Sequence, residues 1–71
     1  MTLSPDDFGR MEYLLGKATV EGSLLPPEEN ELRNFIGQEN PQAKGKTLSD
    51  LITLGLILVG IYLLAKAFEK E

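Results

Sequence analysis

The chain has no cysteine and no histidine among its 71 residues. Without cysteine there is no disulfide, no thiolate metal ligand and no thiol nucleophile. Without histidine the commonest general base and metal-binding side chain is missing. Basic charge is scarce as well: seven Lys and Arg face eleven Asp and Glu, for a formal net charge of −4. A nucleic-acid-binding surface needs a clustered basic patch, and none is present. The N-terminus, Met-Thr-Leu-Ser-Pro-Asp-Asp, lacks the basic stretch and apolar run of a secretory signal. Its second residue is Thr2 rather than Gly, so the myristoylation pattern fails. No glycine-rich phosphate loop, calcium-loop spacing or Ser–His or Ser–Lys arrangement occurs. These absences lead to a non-enzyme with no cofactor, metal, nucleic acid or small-molecule substrate.

What the chain does have is residues 51–65, Leu-Ile-Thr-Leu-Gly-Leu-Ile-Leu-Val-Gly-Ile-Tyr-Leu-Leu-Ala, with no charge at all. Leu48 and the Ala67-Phe68 pair extend it to residues 48–68, interrupted by Ser49, Asp50 and Lys66. About 20 helical residues cross a hydrocarbon core of roughly 30 Å. The run is apolar around its whole circumference, so protein or lipid must enclose it. The preceding residues carry few large apolar side chains, and a hairpin of their own needs those. A transmembrane helix is therefore the expectation. Most ionisable groups precede it, which explains a mean hydropathy near zero for the whole chain.

The polar part reads as two helices. Ser4-Pro5-Asp6-Asp7 is a helix start, with Ser4 as cap, Pro5 in the first turn and Asp7 three residues beyond the cap. Phe8, Met11, Leu15 and Ala18, with Leu14 beside them, recur at helical spacing to about Lys17. Residues 18–23 read as a turn. Pro26-Pro27-Glu28-Glu29 opens a second helix with the stripe Leu32, Phe35 and Ile36. Leu25 is placed to fold back as a hydrophobic staple, Gly37 to cap the end, and Pro41 to prevent resumption. Thr47 and Asp50 then form the T-x-x-D version of a capping box. That role accounts for an acidic residue at the edge of the span without an ion or proton site.

The fold class expected is all-α: an N-terminal two-helix hairpin followed by one C-terminal transmembrane helix. Residues 1–39 make the amphipathic head, with helices at about 5–17 and 26–36. Residues 40–47 are a polar hinge, 48–68 the span and 69–71 a short charged tail. The acidic groups of the head are Asp6, Asp7, Glu12, Glu21, Glu28, Glu29, Glu31 and Glu39. Acid–base work would require a pocket that perturbs their pKa values, and a hairpin this small has no room for one.

Binding is what remains. Ser49, Thr53, Gly60 and Ala67 are small residues of the span, the last three spaced by seven, and form a candidate seam for another helix. Tyr13, Leu14, Leu24 and Leu25 are a candidate partner surface, with completion of the hairpin core as their competing role. Lys44, Lys46, Tyr62, Lys66, Lys70 and Phe68 are candidate interfacial anchors, the lysines by snorkelling. The lysines flank the span evenly, so orientation rests on the ease of moving the short tail rather than the charged head. That argument puts the head on the cytoplasmic or interior side.

Residues 12–43 contain Leu14-Leu15, a turn with Gly22, the acidic helix start at Pro26 and a closing Asn40-Pro41. This stretch resembles the helical hairpin ahead of the membrane span in some bacterial anti-sigma regulators. The resemblance covers under half of the chain. A relay across a membrane also needs a domain beyond the span, which this sequence does not show, so membership is not assigned. The partners expected are a lipid bilayer and either other subunits of an assembly or further copies through the span. The leading function is a single-pass anchor or accessory subunit of a membrane complex or a membrane-containing virion. A membrane-tethered regulator whose acidic head recruits a cytoplasmic partner comes second. A holin-like or toxin-like pore comes last, because the span has no polar stripe.

Overall fold

The computed structural model describes residues 3–69. Helix α1 (Pro5–Glu21) starts on a closed capping box. The Asp7 N–H donates to Ser4 Oγ at 3.2 Å, and the Ser4 N–H donates to Asp7 Oδ2 at 3.4 Å. Two otherwise orphaned amides are thereby satisfied. Phe8, Met11, Leu14, Leu15 and Ala18 are its buried residues, as the spacing predicts. The helix does not stop near Lys17, however. It continues through Ala18, Thr19 and Val20 because the Thr19 hydroxyl donates to the Leu15 carbonyl at 2.8 Å and Ala18 is buried. It ends where the backbone can turn left-handed, at Gly22 with φ 77°, whose N–H donates to the Ala18 carbonyl.

Helix α2 (Pro26–Glu39) begins with half a box. Glu28 Oε1 accepts from the Leu25 N–H at 3.1 Å, but a leucine side chain has no acceptor to return. Leu25 makes no staple: it is 63% exposed, and Leu24 is the neighbour packed against the core. Leu32 and Ile36 are buried. Gly37 is not the cap. The helix runs two residues further, and the Asn40 N–H donates to the Ile36 carbonyl at 2.8 Å.

Residues 40–47, the polar hinge, hold a short turn of their own. Asn40 Oδ1 accepts from the Gln42 N–H at 3.1 Å and starts a 3-10 turn, Pro41–Gly45. Ala43 in that turn is fully buried. Arg33 ties the connector down by donating to the Lys46 carbonyl at 3.1 Å while also pairing with Glu29 at 3.0 Å. Helix α3 (Leu48–Glu69) follows. Thr47 Oγ1 accepts from the Asp50 N–H at 3.4 Å, so the cap forms on its threonine side.

The three helices share one core. Leu3, Phe8, Met11, Leu14, Leu15, Leu32, Ile36, Ala43 and Leu51 make it up. No polar or charged side chain among the described residues is buried with them. The hairpin's apolar stripe therefore faces α3 rather than closing only on itself. It cannot enclose α3: Leu51 and Gly55 are the buried residues of that helix.

Candidate membrane helix and its docking surface

Helix α3 has 22 residues and is long and apolar enough to cross a bilayer; it is the one such helix among the described residues. Only 11% of its most apolar 18-residue stretch is buried, whereas the core helix of a soluble domain would be mostly covered. This helix marks the chain as membrane-associated, with one candidate span among the described residues.

Its two faces differ in what they touch. Leu48, Leu51, Gly55, Leu58 and Tyr62 follow a 3-4-3-4 spacing, which keeps them on one side of a helix. Leu51 and Gly55 are buried, and Leu48, Leu58 and Tyr62 are partly buried against the core. The closest approach is at Gly55. A Cβ added there would lie 2.7 Å from Leu15 Cδ2, 3.0 Å from Leu15 Cδ1 and 3.3 Å from Ile36 Cδ1. Seven residues on, Tyr62 stacks on Phe8 with ring centroids 4.0 Å apart and planes tilted by 38°. Leu15 meets Gly55 and Phe8 meets Tyr62, so α1 runs antiparallel to α3 in matched steps of seven. Leu3 and Pro5 carry the contact further, sharing a groove with Tyr62, Ala65, Lys66 and Glu69.

The opposite side of α3 carries the candidate seam. Ser49, Thr53, Gly60 and Ala67 are all exposed, and Gly60 has open space where a Cβ would stand. The Thr53 hydroxyl donates to the Ser49 carbonyl at 3.3 Å, which leaves the backbone ladder intact. Beside the seam Leu56, Ile57, Ile61, Leu63, Leu64 and Phe68 are exposed. Gly55 does not belong to the candidate seam; it lies on the other stripe, at the centre of the 3-4-3-4 pattern that faces the core.

The candidate partner surface divides. Leu14 is fully buried and Leu24 packs against the core, while Tyr13 and Leu25 are 56% and 63% exposed. The first pair completes the core, and in this packing only the second pair is presented to a partner. Of the candidate anchors, Lys44, Lys46, Lys66 and Phe68 are exposed. The Lys44 stem lies over Gly37, 3.8 Å from where its Cβ would be. Tyr62 is not a free interfacial ring, being held between Phe8 and the Lys66 ammonium, 5.0 Å from its ring centre. Lys70 and the end of the tail lie outside the described residues.

Ion pairs bolt the hairpin together on its outer surface. Arg10 grips both carboxylate oxygens of Glu31 at 2.9 and 3.1 Å, and its guanidinium lies 5.2 Å from the Tyr13 ring centre. Lys17 donates to both oxygens of Glu28 at 2.8 and 3.0 Å. The hydrogen bond from Lys17, helped by the Leu25 N–H, holds the Glu28 carboxyl below its ordinary pKa. The same bond raises Lys17, and the Glu31 hydrogen bond raises Arg10. Glu28, Glu29 and Glu31 are thus engaged structurally. No group of His, Cys, Asp or Glu that could hold a metal ion occurs among the described residues. Compared with known proteins, the chain matches no family model, no curated protein and no solved structure.

Proposed function

We propose that this protein is a non-enzymatic single-pass membrane anchor, a small structural or accessory subunit of a larger membrane-associated assembly such as a membrane protein complex or a membrane-containing virion. The observation that carries the reading is the outward side of α3. Leu56, Ile57, Ile61, Leu63, Leu64 and Phe68 are between 49% and 72% exposed along one helix. A continuous apolar face of that length is a contact surface. Acyl chains cover it directly, and the small residues Thr53, Gly60 and Ala67 allow a neighbouring helix, from another subunit or a second copy, to approach closely. The non-enzymatic part rests on the ion pairing of Glu28, Glu29 and Glu31, which ties these carboxylates to hairpin stability. The head lies on the cytoplasmic or interior side.

The test uses the full chain, tagged, in membranes. Alkaline carbonate should leave it in the membrane pellet, and release into the supernatant would refute the span. Purification in mild detergent should bring down stoichiometric companions. A chain that purifies alone, still carbonate-resistant, would refute the subunit role and leave the anchor.

A further inference from the structure

We propose that the hairpin is a detachable cover for α3, docked while the helix is outside the membrane and released when it inserts. The inference rests on the reading that α3 spans a bilayer, and it follows from where the hairpin sits. Phe8 packs on Tyr62, and Pro5 shares a groove with Ala65 and Lys66. Tyr62 is 14 residues beyond Leu48 (62 − 48), about 21 Å along the helix axis at 1.5 Å per residue. With Leu48 at one face of a hydrocarbon layer about 30 Å thick, Tyr62 is about 9 Å short of the other face, so the stretch from Gly55 to Tyr62 that α1 grips lies inside the layer. A hairpin still docked there would carry Asp6, Asp7, Arg10 and Glu12 to membrane depth, where charges are expelled. Asp6, Arg10 and Glu12 are exposed, so lipid would meet them directly. Docking and full spanning exclude one another.

The bonding pattern suits release. Ion pairs join α1 to α2 through Arg10–Glu31 and Lys17–Glu28. A hydrogen bond from Arg33 joins α2 to the connector at Lys46. Helix α3 is gripped by side-chain packing: Leu15 and Ile36 on Gly55, Phe8 on Tyr62. Lipid tails replace apolar packing of that kind, whereas they cannot replace an ion pair. The hairpin therefore leaves as a unit, with its internal bolts closed. It stays tethered by residues 40–47 at the mouth of the span. The headgroup boundary of the same bilayer is then the nearest cover for its freed face of Phe8, Met11, Leu15, Leu32 and Ile36, in the manner of an interfacial amphipathic helix.

The chain has no cysteine, so two introduced thiols can be spin-labelled without competition. Asp6→Cys and Ala65→Cys place labels on exposed positions beside the shared groove. The full chain is synthesised cell-free with and without phosphatidylcholine vesicles, and label distance and carbonate resistance are read on the same samples. A short distance is expected without vesicles. With vesicles it should lengthen to about 25 Å or more, since Ala65 lies 17 residues (65 − 48) from the mouth of the span. A short distance that persists in carbonate-resistant protein overturns the cover while the span stands. A long distance without vesicles overturns the docked form. Carbonate extraction overturns the span and the cover with it. Adding Gly55→Leu should lengthen the distance even without vesicles and leave carbonate resistance unchanged. If it leaves the short distance in place, the docking is not the one described.

Discussion

Gly55 and Gly60 occupy the same helix five residues apart, and replacing each by alanine should have opposite effects. In both cases alanine favours the helix over glycine by about 1 kcal/mol. At Gly60 nothing lies within 4 Å of the new Cβ, so that gain stands alone. At Gly55 the Cβ would be 2.7 Å from Leu15 Cδ2 and 3.3 Å from Ile36 Cδ1, so the buried Leu15 and Ile36 side chains must both give way. Overpacking a filled core costs about 1–3 kcal/mol. The difference between the two variants should therefore be about 1–3 kcal/mol in favour of Gly60→Ala. It belongs to the docked form, because in lipid neither site touches the hairpin. The measurement is amide hydrogen exchange in α1 without vesicles. Gly55→Ala should speed exchange at Met11, Leu14 and Leu15 relative to Gly60→Ala by the corresponding factor, about 5-fold or more at RT ≈ 0.6 kcal/mol. Equal protection in the two variants would refute the close approach of α3 to α1 and, with it, the account of why a glycine stands at position 55.

Acid should loosen the hairpin at Glu28. Its folded pKa is below the ordinary glutamate value, so its contribution is complete above that value and is lost as pH falls through the lowered folded one. Helical circular dichroism should show this acid loss, and Glu28→Gln should remove it. Leu14→Ala, at a fully buried position, should cost about 2–5 kcal/mol in denaturant unfolding. Tyr13→Ala, at an exposed one, should stay within about 0.5 kcal/mol; the two neighbours in sequence thus separate core from surface. Gly22→Ala places a side chain on a backbone with φ 77° and should cost about 1–2 kcal/mol in thermal unfolding.

Those same residues show how far sequence reasoning reached. The Ser4 capping box, the apolar stripe from Phe8 to Ala18 and the threonine side of the Thr47 cap depend on neighbours three or four positions away, and each was legible. The end of α1 was not, because β-branched Thr19 argues against helix until its hydroxyl is seen to bond the Leu15 carbonyl. Gly37 and Gly22 look alike as helix terminators, and tertiary contacts decide between them: the Lys44 stem lies over Gly37 inside the helix. The docking of α3 was the largest gap. A helix apolar on every side has no direction in its hydrophobic pattern, so periodicity cannot say which face meets protein. Only the absence of a side chain at position 55, flanked by Leu51 and Leu58, marks that face.

The magnitude of the docking decides what the membrane does to it. A chain of 71 residues has a total folding stability of roughly 4–11 kcal/mol at 0.05–0.15 kcal/mol per residue. Domains of this size bury the smallest share of their surface, which makes them marginal. The grip of the hairpin on α3 is one part of that total. In the antiparallel register Arg10 and Glu12 lie nearest the middle of the span, and carrying them there costs about 2.5–3.5 kcal/mol for each charge on insertion scales, roughly 5–7 kcal/mol together. That sum is of the same order as the stability of the whole fold, of which the grip on α3 is only a part, so insertion with the hairpin docked is the arrangement that fails first. Leu56, Leu63 and Leu64, exposed in the docked form, each favour insertion by about 0.3–0.6 kcal/mol at the centre of a span. A charge-removing variant reverses the balance. With Arg10→Gln and Glu12→Gln added to the labelled chain the penalty for a docked hairpin falls, and the label distance in vesicles should retain a short component that the labelled parent loses. If the distance distributions of the two chains coincide in vesicles, charge burial is not what releases the hairpin.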